Sequence, residues 1–331
     1  MTQRMPGDVV KFRTVGIDVG GTNIKIAALW NGGGVISAES IPTRAERGPV
    51  DAAERILVTI RALLQREGID PGGMHAVGMD CAGIVDPERN VVIDSPNLRS
   101  WENDPLAQRL ADRLGVPVYL ENDVNAMAYG EWRCGAGRGA DHIVCLTLGT
   151  GVGGGLILDG RLYRGAHGAA GELGHTTLDL RGASCTCPNI GCLERHVGAA
   201  YIVERTLRHL QESAAPSRLR DLEPQDMAPR DLTLAADAGD PVAAAVLRET
   251  GELLGKGLVS FVNIFNPERI VVGGGITKAG DRLLEPARQI VRRHAMSLPA
   301  SMVEIVPAEL GDDAAVVGAT LLALEQHPTR G

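Results

Sequence analysis

His175 and three cysteines, Cys185, Cys187 and Cys192, fall within one short, loop-rich segment. Four soft or borderline ligands converging on one point make a tetrahedral metal site, and Cys₃His supplies them. Cys185 and Cys187 alternate across one residue, so an extended loop can turn both sulfurs inward. Pro188, Asn189 and Gly191 then let the chain reverse and return Cys192, and His175 closes the shell. No coordination position is left open, which points to structural rather than catalytic zinc. The bland alternative is three buried thiols beside an unrelated histidine. Two-residue cysteine spacing next to a turn favours the metal.

Three glycine-rich segments could hold phosphates. Asp18-Val19-Gly20-Gly21-Thr22 joins two β-like runs. Its glycines let backbone N–H groups approach phosphate oxygens, and Thr22 adds a hydroxyl donor. Asp18 ends a strand and can orient Mg²⁺ through water. Lys25 is near enough in sequence to add charge. Alone, this segment could equally be a hairpin turn with a solvated Asp. The second loop, with Gly149, Thr150 and Gly151, lies between two strand-like runs and not between a strand and a helix, which argues against a dinucleotide fold. The third, Gly273-Gly274-Gly275, follows a buried-strand pattern. There is no Gly-x-x-x-x-Gly-Lys-Ser/Thr, so this is not a P-loop protein. Asp123, within Glu121-Asn122-Asp123-Val124-Asn125, follows a strand and can cap the next helix.

Gly174-His175, about ten residues, then Cys185-x-Cys187-Pro188-x-x-Gly191-Cys192-x-Glu194 resembles the signature of the ROK family (repressors, open reading frames and kinases). One position departs: Pro188 stands where that family usually has glycine. Proline lacks an N–H and fixes φ, so the loop is expected to take a slightly different path past the metal. The resemblance extends along nearly the whole chain. It implies an actin-like ATPase (ribonuclease H-like) fold, α/β, with two domains and a cleft between them. It also implies ATP and Mg²⁺ beside the structural Zn²⁺, adenosine binding at Gly273–Gly275, and a homodimer.

The same resemblance makes Asp123 the general base toward a sugar hydroxyl. That role competes with helix capping, and its place at the expected domain hinge favours catalysis. Glu172, His175 and Glu194 match the family's hydroxyl-binding positions, Asn122 pairs with Asp123, and Ser95-Pro96-Asn97 resembles the loop whose Asn97 holds a ring hydroxyl. Gly83 would allow close approach of the loop backbone. His175 can do two jobs, one ring nitrogen on zinc and the other on the sugar. The implied activity is ATP-dependent phosphorylation of a hexose at its 6-hydroxyl, glucose foremost. Kinases of N-acetylglucosamine, N-acetylmannosamine or fructose are the alternatives within the family. A non-catalytic sugar-sensing regulator is the alternative outside catalysis. Such regulators carry a helix-turn-helix domain ahead of the kinase-like part, and the 17 residues before Asp18 are too few for one.

The elements that must place these residues are legible from periodicity. Phe12 to Val19, Ile24 to Trp30 and Val35 to Pro42 read as strands, with a turn at Asn31-Gly32-Gly33-Gly34. A helix starts at Pro49 and stops at Gly68. His75 to Cys81 is a strand feeding a loop from Ala82 to Asp104. A helix over 105–114, a strand over 116–120 and a helix over 123–134 follow. The order then repeats: a hairpin of Ile143 to Leu148 with Gly155 to Leu158, and helices over 199–210 and 241–265. A strand over 269–272, a helix over 281–296, a strand over 302–308 and a last helix over 312–325 complete it. The expected small domain is 1–121 plus 312–331, and the large one is 122–311. The polar stretch Ala214 to Arg230 reads as a surface connection.

At 331 residues the chain is long for one core, so two domains are the prior. Hydrophobic residues at 44% and charged ones at 22% describe an ordinary soluble protein, expected in the cytoplasm. Lys+Arg at 33 against Asp+Glu at 41 gives a net charge of −8, which speaks against nucleic acid or anionic membrane as partner. No run reaches signal-peptide or membrane-spanning length. Six cysteines without a secretion signal point to metal and not disulfides. Cys81, Cys134 and Cys145 read as buried small hydrophobes.

Overall fold

The computed structural model describes residues 13–30, 32–95, 98 and 101–327. Asn97 lies outside the described residues. The described chain falls into two compact units. The first holds the residues up to Cys134, Gly165–Ala169 and those from Asp313 onward; the second holds Gly135–Arg164 and Ala170–Asp312.

The first unit opens with β1 (Arg13–Val19), β2 (Asn23–Trp30) and β3 (Val35–Pro42), an antiparallel meander. Helix α1 (Gly48–Arg66) follows, with proline in its first turn and Ile56, Leu57, Ile60, Leu63 and Leu64 buried at helical spacing. β4 (Val77–Cys81) then pairs parallel to β1. The expected loop over 82–104 contains a small hairpin, β5 (Ile84–Asp86) with β6 (Val91–Asp94). Helix α2 (Leu106–Leu114) leads to β7 (Val118–Asn122), parallel to β4, and β7 runs straight into α3 (Asp123–Cys134). The sheet order is β3-β2-β1-β4-β7.

The second unit repeats this plan. β8 (Ile143–Leu148), β9 (Val152–Leu158) and the short β10 (Arg161–Leu162) form the meander. β9 begins at Val152, three residues ahead of the expected start, because cross-strand bonds continue through the glycines to Leu148. Helices α4 (Glu194–Val197), α5 (Ala199–Glu212), α6 (Pro229–Asp237) and α7 (Pro241–Phe265) come next. The stretch read as a connection thus ends in α6, which has Pro229 at its first position. β11 (Arg269–Gly273), α8 (Asp281–His294), α9 (Ser297–Met302) and β12 (Glu304–Pro307) complete the unit. Met302 therefore closes a short helix and does not open the last strand. The sheet order is β10-β9-β8-β11-β12, the same hairpin-plus-parallel pattern as in the first unit. Two such sheets in one chain are the actin-like ATPase architecture.

The last helix, α10 (Ala314–Gln326), returns to the first unit. It packs on α3 almost backbone to backbone. A Cβ on Gly130 would lie 2.4 Å from the Ala314 carbonyl, and one on Gly318 would lie 1.7 Å from that of Ala126. Neither position has room for a side chain. This contact carries α3 into the first unit, so the boundary falls after Cys134 and not at 121–122.

Candidate active site and metal centre

In the first unit the β1–β2 turn carries the phosphate-loop residues. Thr43 pins it: its hydroxyl donates to the Gly20 carbonyl at 2.6 Å and its N–H to the Thr22 carbonyl at 2.8 Å. Gly20, Gly21 and Thr22 are therefore held as one turn. Asp18 is the last residue but one of β1, half-buried, with Lys25 opposite it on β2. Burial raises the Asp18 carboxyl above its usual range, against the lowering effects of Asp80 and Lys25. The Lys25 ammonium is held by Asp313 at 2.5 Å.

At the β7–α3 turn, helix capping falls to Asn122. Its Oδ1 accepts from the N–H groups of Val124 and Asn125 at 3.0 and 2.9 Å. Its Nδ2 donates to the Gly83 carbonyl at 2.9 Å and to Asp123 Oδ1 at 3.0 Å. Asn122 is thus engaged at both ends of its amide. Asp123 is oriented by it at a helix N-terminus, where the peptide dipoles favour negative charge. Gly83 (φ +121°) has no alternative residue: a Cβ there would lie 2.2 Å from the Asp94 carbonyl. This unit therefore brings Gly83, Asn122 and Asp123 together.

In the second unit the other two glycine loops lie side by side at the ends of β8 and β11. Thr147 is the register partner of Gly273. Gly274 (φ +91°) sits so close to β8 that a Cβ would lie 2.3 Å from the Leu148 carbonyl. Gly149, Thr150 and Gly151 form the β8–β9 turn, and the Gly149 carbonyl accepts from Ala199 N–H at the start of α5 at 3.0 Å. Gly275 follows Gly274 at the start of a short 3₁₀ turn.

The candidate metal ligands converge. The nitrogen or sulfur atoms of His175, Cys185, Cys187 and Cys192 all lie within 4.8 Å of one another. Cys187 Sγ and Cys192 Sγ are 3.7 Å apart, and Cys185 Sγ lies 3.6 Å from His175 Nδ1. A tetrahedral ion with metal–sulfur bonds of about 2.3 Å requires sulfurs roughly 3.8 Å apart, so the quartet fits one ion. Asn189 ties the loop down, donating to the His175 carbonyl at 3.1 Å and to Thr177 Oγ1 at 2.9 Å. Cys185 N–H closes the turn on the Asn189 carbonyl at 2.9 Å, a bond that needs nothing from Pro188. Burial acts to raise the Cys185 thiol, but the Cys187 N–H and His175 outweigh it and hold it at about 7. Burial and the two other thiols push Cys192 up to about 12. A bound cation would reverse that, since coordinating thiols ionise.

The sugar-binding candidates of this unit adjoin the quartet. His175 turns Nδ1 to the thiols and Nε2 toward Glu172, 3.9 Å away. Glu194 opens α4 and spans two sites: its Oε2 accepts from Val152 N–H at 2.9 Å and its Oε1 from Thr186 Oγ1 at 3.3 Å. It thereby ties the metal loop to the β8–β9 glycine turn, and a Cβ on Gly151 would lie 2.7 Å from Glu194 Oε2.

Thr43, Asp80 and Asp313, which neighbour Gly20, Asp18 and Lys25, carried no signal in the sequence. Of the remaining cysteines, Cys81 and Cys145 are buried as expected, whereas Cys134 is half-buried. No helix among the described residues is long and apolar enough to cross a membrane.

The sequence model of the ROK family matches residues 14–326. The glucokinase of Thermotoga maritima is 36% identical over 318 residues, covering 96% of this chain and 98% of that protein. The xylose repressor of Caldicellulosiruptor bescii is 30% identical over 94% of this chain and 77% of its own length. Among solved structures, a ROK family glucokinase from Streptomyces griseus in complex with glucose and AMPPNP superposes with a TM-score of 0.79 at 35% identity, covering 95% of this chain and 99% of that one.

Proposed function

The chain belongs to the ROK family, and on that footing we propose that it is a glucokinase, an ATP-dependent kinase that converts glucose to glucose 6-phosphate. The glucokinase relatives align over nearly their whole length, and the Streptomyces griseus glucokinase structure holds glucose and AMPPNP, an analogue of ATP. Phosphoryl transfer asks a protein for positioning and charge neutralisation, with one carboxylate aligning the nucleophile. Asp123 is that carboxylate. It accepts the proton of the 6-hydroxyl as that oxygen attacks the γ-phosphorus and the bond to ADP breaks. The observation that supports the catalytic reading lies at the β7–α3 turn: Asn122 caps the helix with its Oδ1 and orients Asp123 with its Nδ2.

The finer assignments follow from the resemblance of these segments to the family's motifs. Gly20–Thr22, Gly149–Gly151 and Gly273–Gly275 would cradle the nucleotide. Asp18, half-buried beside its loop, fits a carboxylate that orients Mg²⁺ through water. Gly83, Asp123, Glu172, His175 and Glu194 would take the sugar, with Asn122 positioning Asp123 and Asn97 completing the set. Zn²⁺ would sit in the Cys₃His quartet and fix the ring of His175, leaving Nε2 to a hydroxyl.

The reading is tested by ADP release across glucose, mannose, fructose, N-acetylglucosamine and N-acetylmannosamine. Glucose is expected to give the highest kcat/KM. A buried polar group that loses its hydroxyl costs about 1–3 kcal/mol, so a sugar lacking one should fall by roughly one to two decades. An N-acetylhexosamine well above glucose would keep the family and replace the substrate. No ADP release with any sugar would favour a sensor.

A further inference from the structure

Asp80, the fourth residue of β4, is fully buried, and neither of its carboxyl oxygens meets a donor or solvent. Its register partners are Asp18 on β1 and Glu121 on β7. Partners on adjacent strands project to the same face, so three carboxyls stand in a row, with Asp123 close behind at the start of α3. This is the face covered by α10: a Cβ on Gly78, two residues earlier, would lie 2.2 Å from the Ala319 carbonyl. Among the described residues no cation pairs with Asp80. Lys25 pairs with Asp313, and Glu121 Oε1 already accepts from Asn122 N–H and Asn125 Nδ2, each at 3.1 Å.

An ionised Asp80 would be a buried charge facing another carboxylate, a costly arrangement without a counterion. A protonated carboxyl, by contrast, is uncharged and owns one O–H to donate. Facing carboxyl pairs commonly share one proton in this way. Burial first, then the charges of Asp18 and Asp123, with that of Glu121 adding, push Asp80 well above the usual carboxylate range. A cation bridging the pair fits less well, because neither Asp80 oxygen touches solvent and hydrated Mg²⁺ sheds water reluctantly.

We propose that Asp80 is a positioning residue for phosphoryl transfer: its carboxyl donates a hydrogen bond to Asp18 and holds that carboxylate in place beside the Gly20–Thr22 loop. The Asp18 side chain then needs no reorientation when nucleotide and Mg²⁺ arrive. The proposal rests on the kinase reading, and its test separates the two.

The binding of AMPPNP with Mg²⁺ is measured by calorimetry, without sugar, for the wild type, Asp80→Asn and Asp80→Leu. The amide keeps an N–H donor for Asp18, whereas leucine keeps the volume and loses the donor. Loss of a hydrogen bond to a charged group is expected to weaken binding roughly tenfold or more in Asp80→Leu, with Asp80→Asn within about threefold of wild type. In ADP release, Asp80→Leu should raise the Mg²⁺ concentration for half-maximal rate by a similar factor and leave the glucose KM within about twofold. In an Asp18→Asn background the leucine substitution should add less than about twofold. Asp80→Asn as weak as Asp80→Leu would overturn the proposal, because an ionised carboxylate would then be what the site needs. So would Asp80→Leu binding as tightly as wild type. If Asp80→Leu does not fold, Asp80→Ala serves as the variant without a donor, and a tenfold loss in the isosteric Asp80→Asn still overturns it. Wild type that binds AMPPNP and phosphorylates no hexose would remove the kinase reading alone.

Discussion

Asp123→Asn is expected to lower kcat for glucose phosphorylation by roughly two to four decades, the usual contribution of a general base, while the glucose KM stays within a few-fold. The substitution separates chemistry from structure unusually well. Asn keeps a side-chain oxygen to accept the Nδ2–H of Asn122, a bond of 3.0 Å in the wild type. The two hydrogen bonds by which Asn122 caps α3 are untouched. The variant should therefore melt within a few degrees of wild type and still bind sugar. Steady-state kinetics with a matched thermal melt decide the matter. A kcat within tenfold of wild type, in a folded variant, would remove Asp123 as the base.

Loss of the metal should have the next largest effect. Purified protein is expected to carry about one zinc per chain by elemental analysis, held by His175, Cys185, Cys187 and Cys192. Cys187→Ser should lose it. In zinc-finger peptides such sites contribute about 10–16 kcal/mol. Here the loop is anchored to a folded unit through Asn189 and Glu194. A smaller loss of stability is therefore expected, a fall in Tm of roughly 5 °C or more. The glucose KM should rise as well. His175 Nδ1 would lose its anchor, so Nε2 would no longer be aimed, and Thr186 would release Glu194. Active wild-type protein without metal, or Cys187→Ser retaining a full complement of zinc, would contradict the assignment.

The parts of the site legible in the sequence are those built from neighbours in the chain. The metal quartet is local, and the glycine loops announce themselves as interruptions between apolar runs. What stayed hidden depends on pairings distant in sequence. Asp313 lies 288 residues from Lys25, and nothing near Lys25 foretells that ion pair. Asp80 reads as one polar residue ending an apolar strand, and its lack of a donor appears only once β1 and β7 flank it. Which of Asn122 and Asp123 caps α3 was not legible either, since both are good caps and local pattern does not rank them. The allegiance of α3 was equally invisible, because it rests on the fit of Gly130 and Gly318 across two helices. The hairpin of β5 and β6 has strands of three and four residues, too short for alternation to stand out.

The central claim is a transfer of phosphate from ATP to the 6-hydroxyl of glucose. Its most direct test is ³¹P NMR of purified protein incubated with ATP, Mg²⁺ and glucose. Glucose 6-phosphate should accumulate in step with ADP, with no ester at any other hydroxyl. ADP appearing with inorganic phosphate alone, or a phosphate ester at another position of the sugar, would contradict it.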